Sequence, residues 1–134
     1  MAAYLAKISG PLLDRIDLHI DVPAVPFAAL TNAPHGEPSA QIRARVQRAI
    51  RWRRRRGQKS PNAQLRAKDL KIACRMTPEA ARLLAAALQE LGLSARSYNK
   101  GLKLARTIAD LADSEEILPA HVAEALQYRS PIFA

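Results

Sequence analysis

The sequence predicts a mainly α-helical chain, in which a helical bundle follows a short helix and a single β-strand. Apolar residues recur three and four positions apart in several segments after residue 65, and helix start and stop signals separate these segments. Apolar and polar residues instead alternate over 16–22, which is typical of a strand. We therefore divide the chain into an edge of an α/β unit (1–38), a basic helix with a linker (39–64) and the bundle (65–134).

Composition indicates one domain with an anionic partner. The 134 residues carry a formal net charge of +9, and 49% are hydrophobic but only 4% aromatic, so the core must be built from Ala, Leu, Ile and Val. Cys74 is the single cysteine, which excludes an internal disulfide and is typical of a reducing cytoplasm. No apolar run approaches the roughly 20 residues that cross a bilayer, and residues 1–10 lack the apolar core of a signal peptide, so we expect no membrane partner.

The first 38 residues predict an incomplete α/β unit. A Ser-Gly-Pro turn at 9–11 leads into one short helical turn that ends near Arg15. The strand over 16–22 follows, and Pro23 and Pro26 end it. Because one strand cannot form a sheet by itself, and no second strand of comparable quality follows, we expect its partners in a larger unit. The segment 31–38 is rich in turn residues.

A strongly basic helix is predicted over 40–56, with Ser39 as N-cap and Gly57 as C-cap. Nine cations lie between Arg43 and Lys59 with no acid among them, so the surface is either a solvated face or a contact for nucleic-acid phosphates. We expect Trp52 to pack against the bundle rather than stack on a base. The candidate nucleic-acid-binding residues are Arg48, Arg51, Arg53, Arg54, Arg55 and Arg56.

The bundle is predicted to begin after the linker 58–64 with a short helix over 66–74 that buries Cys74. A second helix starts at Thr77 and Pro78 and runs to residue 91, where Gly92 stops it. Leu83, Leu84, Ala87, Leu88 and Leu91 are expected to face its core. The last helix runs from Pro119 to about residue 128 and turns Val122, Ala125 and Leu126 inward. Residues 129–134 are expected to form a frayed tail.

The longest helix of the bundle is predicted over 94–113, with Ser94 as its N-cap. Arg96 lies in its first turn, where a cation opposes the positive end of the helix dipole. We expect Lys103 and Arg106 to be solvated or paired with Asp110. The three histidines are far apart in sequence, so we predict no metal site. The predicted apolar face consists of Ala95, Tyr98, Leu102, Ala105, Ile108, Ala109 and Ala112.

Two long motifs resemble a known family. They are SGPLLDRIDLHIDVP (9–23) and LSARSYNKGLKLARTIADL (93–111), closed by EALQYR (124–129). Both resemble the C-terminal part of the magnesium-chelatase-like AAA+ ATPases, the family that includes ComM and YifB. The resemblance implies that the bundle is an AAA+ helical lid and that residues 1–38 are the edge of the α/β nucleotide-binding domain.

The resemblance also implies two catalytic arginines. PLLDRID is similar to the PLLSRFD stretch of the replicative MCM helicases, which implies that Arg15 is an arginine finger acting in trans on the neighbouring subunit's ATP. The SAR triplet resembles the start of a sensor-2 helix, which implies that Arg96 contacts the γ-phosphate in cis. The family implies a ring, usually a hexamer, with ATP and Mg²⁺ as cofactors of the whole protein. Its members include a DNA branch-migrating helicase, the function we expect for the whole protein, and the magnesium chelatase subunit that powers metal insertion into a porphyrin.

The sequence lacks the phosphate-binding loop G-x-x-x-x-G-K-[ST] and an apolar strand ending in Asp-Glu that would hold Mg²⁺. We therefore expect the C-terminal part of a longer ATPase, a part that binds no cofactor and hydrolyses no ATP by itself. Two alternatives remain open: the motor subunit of a magnesium chelatase, and a stand-alone basic helical module that binds nucleic acid without ATPase activity.

Overall fold

A computed structural model of the protein describes residues 15–20, 22–27, 36–90, 92 and 94–128. Within these residues the fold is mainly α-helical, as predicted, with five α-helices and one 3₁₀ turn. Their bounds are α1 Ser39–Arg55, the 3₁₀ turn Asn62–Gln64, α2 Ala67–Ala73, α3 Pro78–Glu90, α4 Ala95–Leu111 and α5 Pro119–Gln127. None of the helices in the described ranges is long and apolar enough to span a bilayer.

Helix α4 is the centre of the bundle. It packs against α5, α1, the 3₁₀ turn and α2, while α3 packs on α5. The Ser94 hydroxyl accepts a hydrogen bond from the Ser97 amide at 3.2 Å, so the predicted N-cap is confirmed. The core is aliphatic, as the scarcity of aromatic residues predicted. Its buried members are Leu65, Leu70, Cys74, Ala80, Leu84, Leu102, Ala105, Ile108, Ala109, Ile117, Val122 and Ala125.

Most predicted helix ends are confirmed. The Thr77 hydroxyl accepts from the Ala80 amide at 3.3 Å at the start of α3. Gly57 and Gly92 follow α1 and α3 with φ of 77° and 57°, a left-handed conformation that glycine adopts without strain. The N-cap of α1 was predicted wrongly. Pro38 is that cap, since its carbonyl accepts from the Gln41 amide at 2.9 Å and Ser39 is already helical.

The apolar faces of α3 and α4 are narrower than predicted. In α3, Leu84 is buried but Leu83 is 37% exposed. In α4, Ala95 and Ala112 are exposed because they lie at the ends of the helix. Val122 and Ala125 of α5 are buried and Leu126 is half-buried, as predicted. The predictions for residues 91 and 129–134 lie outside the described residues.

The predicted strand over 16–22 is not formed in the part of the chain that the structure describes, where Asp21 is left out. None of the described residues forms a strand beside it, and one of its backbone amides, that of His19, donates to the Tyr128 carbonyl at 2.8 Å. Its alternating apolar side chains remain exposed, from Ile16 at 42% to Val22 at 81%. The short helix predicted before Arg15 lies outside the described residues.

Candidate functional site

The two arginines predicted as catalytic line one open cleft of ≈ 530 Å³. One wall is the N-terminal segment with Arg15, and the other is helix α4 with Arg96 in its first turn. The full lining is Arg15, Asp17, Leu18, Ala63, Arg96, Lys100, Lys103, Leu104 and Thr107. We call this the Arg15–Arg96 cleft.

Two lysines of α4 hold the walls of the Arg15–Arg96 cleft together. The Lys100 ammonium donates to the Arg15 carbonyl at 2.8 Å and pairs with the Asp17 carboxylate at 2.7 Å. The Lys103 ammonium donates to the Ala63 carbonyl at 2.9 Å, just after the 3₁₀ turn begins. The expected pairing of Lys103 with Asp110 is therefore replaced by this contact. These bonds set the backbone of Arg15 against α4 and leave its side chain exposed.

The Arg15–Arg96 cleft is suited to an anion. Four of its lining side chains are cationic and one is acidic, and that acid, Asp17, is already paired with Lys100. The first turn of α4, whose Ser97 amide is already capped by Ser94, adds the positive end of a helix dipole. Arg96 is exposed at this turn, where bound negative charge would relieve its unfavourable position.

Helix α1 is attached to the bundle along one edge. Arg48 pairs with Asp113 at 2.9 Å, and the Trp52 indole N–H donates to the Ser114 carbonyl at 3.2 Å. One turn further on, Arg56 binds the Asp110 carboxylate through two guanidinium nitrogens. The expectation that Trp52 packs against the bundle is therefore confirmed. Arg56 is only 18% exposed, so its guanidinium serves the bundle.

Four more arginines lie near the end of α1, and two of them, Arg51 and Arg55, lie beside the Arg48–Asp113 pair. Arg51 and Arg54 are exposed, and the Arg55 guanidinium lies 5.9 Å from the centroid of the Trp52 ring. Arg53 donates to the Lys59 carbonyl at 3.4 Å. An arginine surface therefore faces solvent.

Below α1 lies a buried ionic cluster, which sequence reasoning found only in part. The Arg106 side chain is 0% exposed and binds Asp110 one turn away, so the expected pairing is confirmed and the solvated alternative is wrong. Arg106 also donates to the carbonyls of Ser114 and Glu115 at 2.6 and 2.7 Å. Burial lowers the pKa of Arg106, and Asp110 opposes that change. Asp110 further accepts from Asn62 at 2.8 Å. The spacing of four indicated the Arg106–Asp110 pair, but no local signal indicated Arg56 or Asn62.

His121 and the single cysteine have structural roles. The His121 ring nitrogen Nδ1 accepts from the Leu118 amide at 3.1 Å, and burial, followed by the charge of Arg106, lowers the His121 pKa. Cys74 is buried, as predicted, and burial raises its pKa to about 11. Within 15–20, 22–27, 36–90, 92 and 94–128, no group of three His, Cys, Asp or Glu side chains is arranged to hold a metal ion.

Comparison with known proteins places almost the whole chain in one group. The model of the magnesium chelatase subunit ChlI C-terminal family matches residues 36–129, and that of the magnesium chelatase subunit ChlI matches residues 1–30. Competence protein ComM of Haemophilus influenzae is 43% identical over 130 residues, which cover 96% of this chain and 25% of ComM.

Two further relatives give the same coverage. The uncharacterized protein YifB of Salmonella typhimurium is 41% identical over 128 residues, 95% of this chain and 25% of YifB. The uncharacterized protein Rv2897c of Mycobacterium tuberculosis is 36% identical over 131 residues, 94% of this chain and 25% of that protein. The chain thus spans 25% of the length of these curated relatives.

Proposed function

The chain belongs to the ComM and YifB family of magnesium chelatase-like proteins, and from that membership we propose that it is the helical lid region of an AAA+ ATPase. In this proposal Arg15 and Arg96 assist ATP hydrolysis, as an arginine finger and a sensor-2 residue. The observation that carries the proposal is that both arginines line one cationic cleft. The proposed compartment is the cytoplasm, with which the unpaired Cys74 agrees.

The chemistry of the cleft fits the terminal phosphate of a nucleotide. Phosphoryl transfer develops negative charge on the transferred group, and guanidinium groups stabilise that charge, an effect worth about 10³–10⁵ in rate for an arginine finger. ATP and Mg²⁺ supply the reacting phosphate and its metal counter-charge when bound. The residues of this chain would orient the phosphate and neutralise it. A phosphate-binding loop is missing from the sequence, so we propose that the isolated chain hydrolyses no ATP.

The shared cleft is relevant to whether Arg15 and Arg96 contact the same ATP molecule or two different ones. The motifs assign Arg15 to the neighbour's ATP and Arg96 to its own subunit's ATP. Side chains that line one cleft of one subunit reach the same ligand most directly, which favours a single nucleotide for both. The assignment of Arg96 in cis stays a prediction, and subunit mixing separates it from the shared alternative.

The first test is the ATPase rate of the full-length protein. We expect Arg15→Ala and Arg96→Ala each to reduce kcat by about 10²-fold or more and to leave the helical circular dichroism unchanged, because both side chains are exposed. Arg82→Ala is the matched control, since Arg82 is also an exposed arginine but lies on α3 and pairs with Glu79 at 3.0 Å. Activity retained by both cleft variants would contradict the proposal, and so would ATP hydrolysis by the purified chain that Arg96→Ala abolishes.

For the whole protein we propose a ring of subunits, a hexamer as in most of the family, that migrates DNA branches. We propose that α1 contacts the DNA. The exposed arginine surface of α1 supports the DNA contact, because phosphate contacts dominate such binding irrespective of sequence. Arg56 and Arg53 are already bonded within the chain, so the proposed contacts narrow to Arg51, Arg54 and Arg55, together with Arg48, whose pair with Asp113 is exposed.

Salt dependence tests the DNA contact. We expect weak binding whose log K falls with log salt by about 0.9 for each phosphate contacted. Replacing Arg51 and Arg54 with Gln is expected to flatten that slope, and replacing the α3 residue Arg82 is not. The alternative, a magnesium chelatase subunit, is favoured by the name of the matched family model and needs no DNA contact. An unchanged slope, or no binding at low salt, would favour that alternative.

A further inference from the structure

A second cleft, of ≈ 410 Å³, lies between α1 and the end of α4. Its lining consists of Arg48, Arg51, Trp52, Arg55 and Asp113, and we call it the arginine cleft. Three arginines on successive turns of one helix therefore line a cleft that contains a single carboxylate, and Arg48 pairs with that carboxylate at 2.9 Å. The carboxylate belongs to the residue that ends the turn after α4.

We propose that the arginine cleft binds a phosphate of a nucleic-acid backbone, and that Asp113 occupies the place of this phosphate until nucleic acid binds. The proposal rests on the proposed DNA contact of α1 and names its central subsite and the competing group. A carboxylate and a phosphate accept the same charge-assisted hydrogen bonds from a guanidinium.

The contact of Arg48 with Asp113 is suited to exchange. The two atoms lie 2.9 Å apart, yet the Arg48 and Asp113 side chains are 56% and 40% exposed. Exposed pairs of this kind are weak, because water and salt screen them. The Arg56–Asp110 contact one turn away is 18% and 3% exposed and is not open to a ligand in the same way. An incoming phosphate therefore displaces Asp113 and leaves the attachment of α1 in place.

Trp52 positions one of the phosphate ligands. Its indole N–H donates to the Ser114 carbonyl at 3.2 Å, which fixes the orientation of the ring that lines the cleft. The Arg55 guanidinium lies 5.9 Å from the centroid of that ring, within the range of a cation–π contact. Because the ring restricts Arg55, less side-chain entropy is lost when its donors bind a phosphate.

The geometry of α1 favours a polyanion over an isolated phosphate. Arg51 and Arg55 are one helical turn apart, about 6 Å along the axis. Each strand of duplex DNA presents a phosphate about every 3.4 Å of helix axis, so a strand that places one phosphate in the cleft also brings neighbouring phosphates within reach of α1. Arg54 extends the same exposed surface beyond the cleft.

The test compares Asp113→Asn with Glu79→Gln in the purified chain. Asparagine removes the carboxylate and tolerates the left-handed backbone of Asp113, whose φ is 54°. Glu79→Gln removes the same net charge from an exposed ion pair on α3, 3.0 Å from Arg82. Binding to a fluorescent duplex DNA and to a single-stranded RNA of equal length is measured by anisotropy over a range of salt.

We expect Asp113→Asn to raise affinity about two- to fivefold more than Glu79→Gln does, the range that loss of an exposed ion pair implies. The salt slope for duplex DNA should steepen by up to about 0.9, since Arg48 becomes available to one more phosphate. In a protein that already carries Arg48→Gln, Asp113→Asn should raise nucleic-acid affinity much less, because Arg48 is the partner that Asp113 releases. The DNA and RNA arms identify which backbone is preferred.

Three other results of these binding measurements would each overturn a different part of the proposal. Equal gains for Asp113→Asn and Glu79→Gln would overturn the role of Asp113 and leave the DNA contact of α1 standing. Absence of nucleic-acid binding by all variants at low salt would overturn both. Tighter binding to vesicles containing phosphatidylserine than to either nucleic acid would overturn the assignment of the partner.

Discussion

Substituting Asp110 with alanine should destabilise the bundle far more than removal of an exposed charge does. Asp110 is 3% exposed and its carboxylate binds three residues: Arg56, Arg106 and Asn62. In Asp110→Ala, the Arg106 guanidinium stays buried with only the Ser114 and Glu115 carbonyls as partners. Removing one partner of a buried ion pair leaves an uncompensated charge and costs about 3–5 kcal/mol.

That loss is a large part of the total stability. A domain of this size has a free energy of unfolding of about 5–15 kcal/mol. Because each kcal/mol lowers Tm by about 4–8 °C in a domain of up to 100 residues, Tm should fall on the order of 20 °C.

Urea unfolding followed by circular dichroism and by fluorescence gives the measurement. Trp52 is the single tryptophan of the sequence, and its indole binds Ser114 beside the cluster. Asp69→Ala is the matched control, because Asp69 pairs with Arg66 at 3.1 Å with both side chains exposed, and such pairs contribute about 0–1 kcal/mol. A loss in Asp110→Ala no greater than that in Asp69→Ala would refute the reasoning.

Three smaller effects follow from named contacts. Cys74, whose pKa burial raises to about 11, should resist alkylation at pH 8 until the chain unfolds, as mass spectrometry of urea-treated samples would show. Burial lowers the pKa of His121, so the neutral imidazole stabilises the fold fully at pH values above 6.5, the ordinary pKa of histidine. That stability is lost as pH falls through the lowered pKa, and thermal unfolding of His121→Gln should lack this dependence. Ser94→Ala should lower the free energy of unfolding, measured in urea, by about 1 kcal/mol because the N-cap of α4 is lost, while Ser60→Ala should change it little.

Local signals predicted the helices well. The start at Thr77 and Pro78, the cap at Ser94 and the stops at Gly57 and Gly92 depend on residues within one turn of each boundary, and the structure confirms them. The misplaced N-cap of α1 is also local, since the helix begins one residue earlier than predicted and Pro38 caps it without a side-chain hydrogen bond.

Long-range pairing was beyond the sequence. In the sequence, nothing distinguishes Arg56 from the other arginines of the basic run, and its partner Asp110 lies 54 residues away. No periodicity connects two such positions. The alternation over 16–22 predicted a strand, but a strand needs a neighbour to bond with, and the described residues supply none. Likewise, motifs alone identified Arg15 and Arg96, and only the fold brought them to one cleft.

The most direct test of that cleft is the ATPase rate of mixed rings of the full-length protein. Subunits carrying Arg15→Ala or Arg96→Ala are combined with subunits whose phosphate-loop lysine is substituted, and formation of mixed rings is verified. The shared cleft favours action of both arginines on the ATP of the same neighbouring subunit. In that case we expect ATPase activity to recover in both mixtures. Recovery with Arg15→Ala alone would restore the cis assignment of Arg96, and recovery in neither would contradict the arginine finger itself.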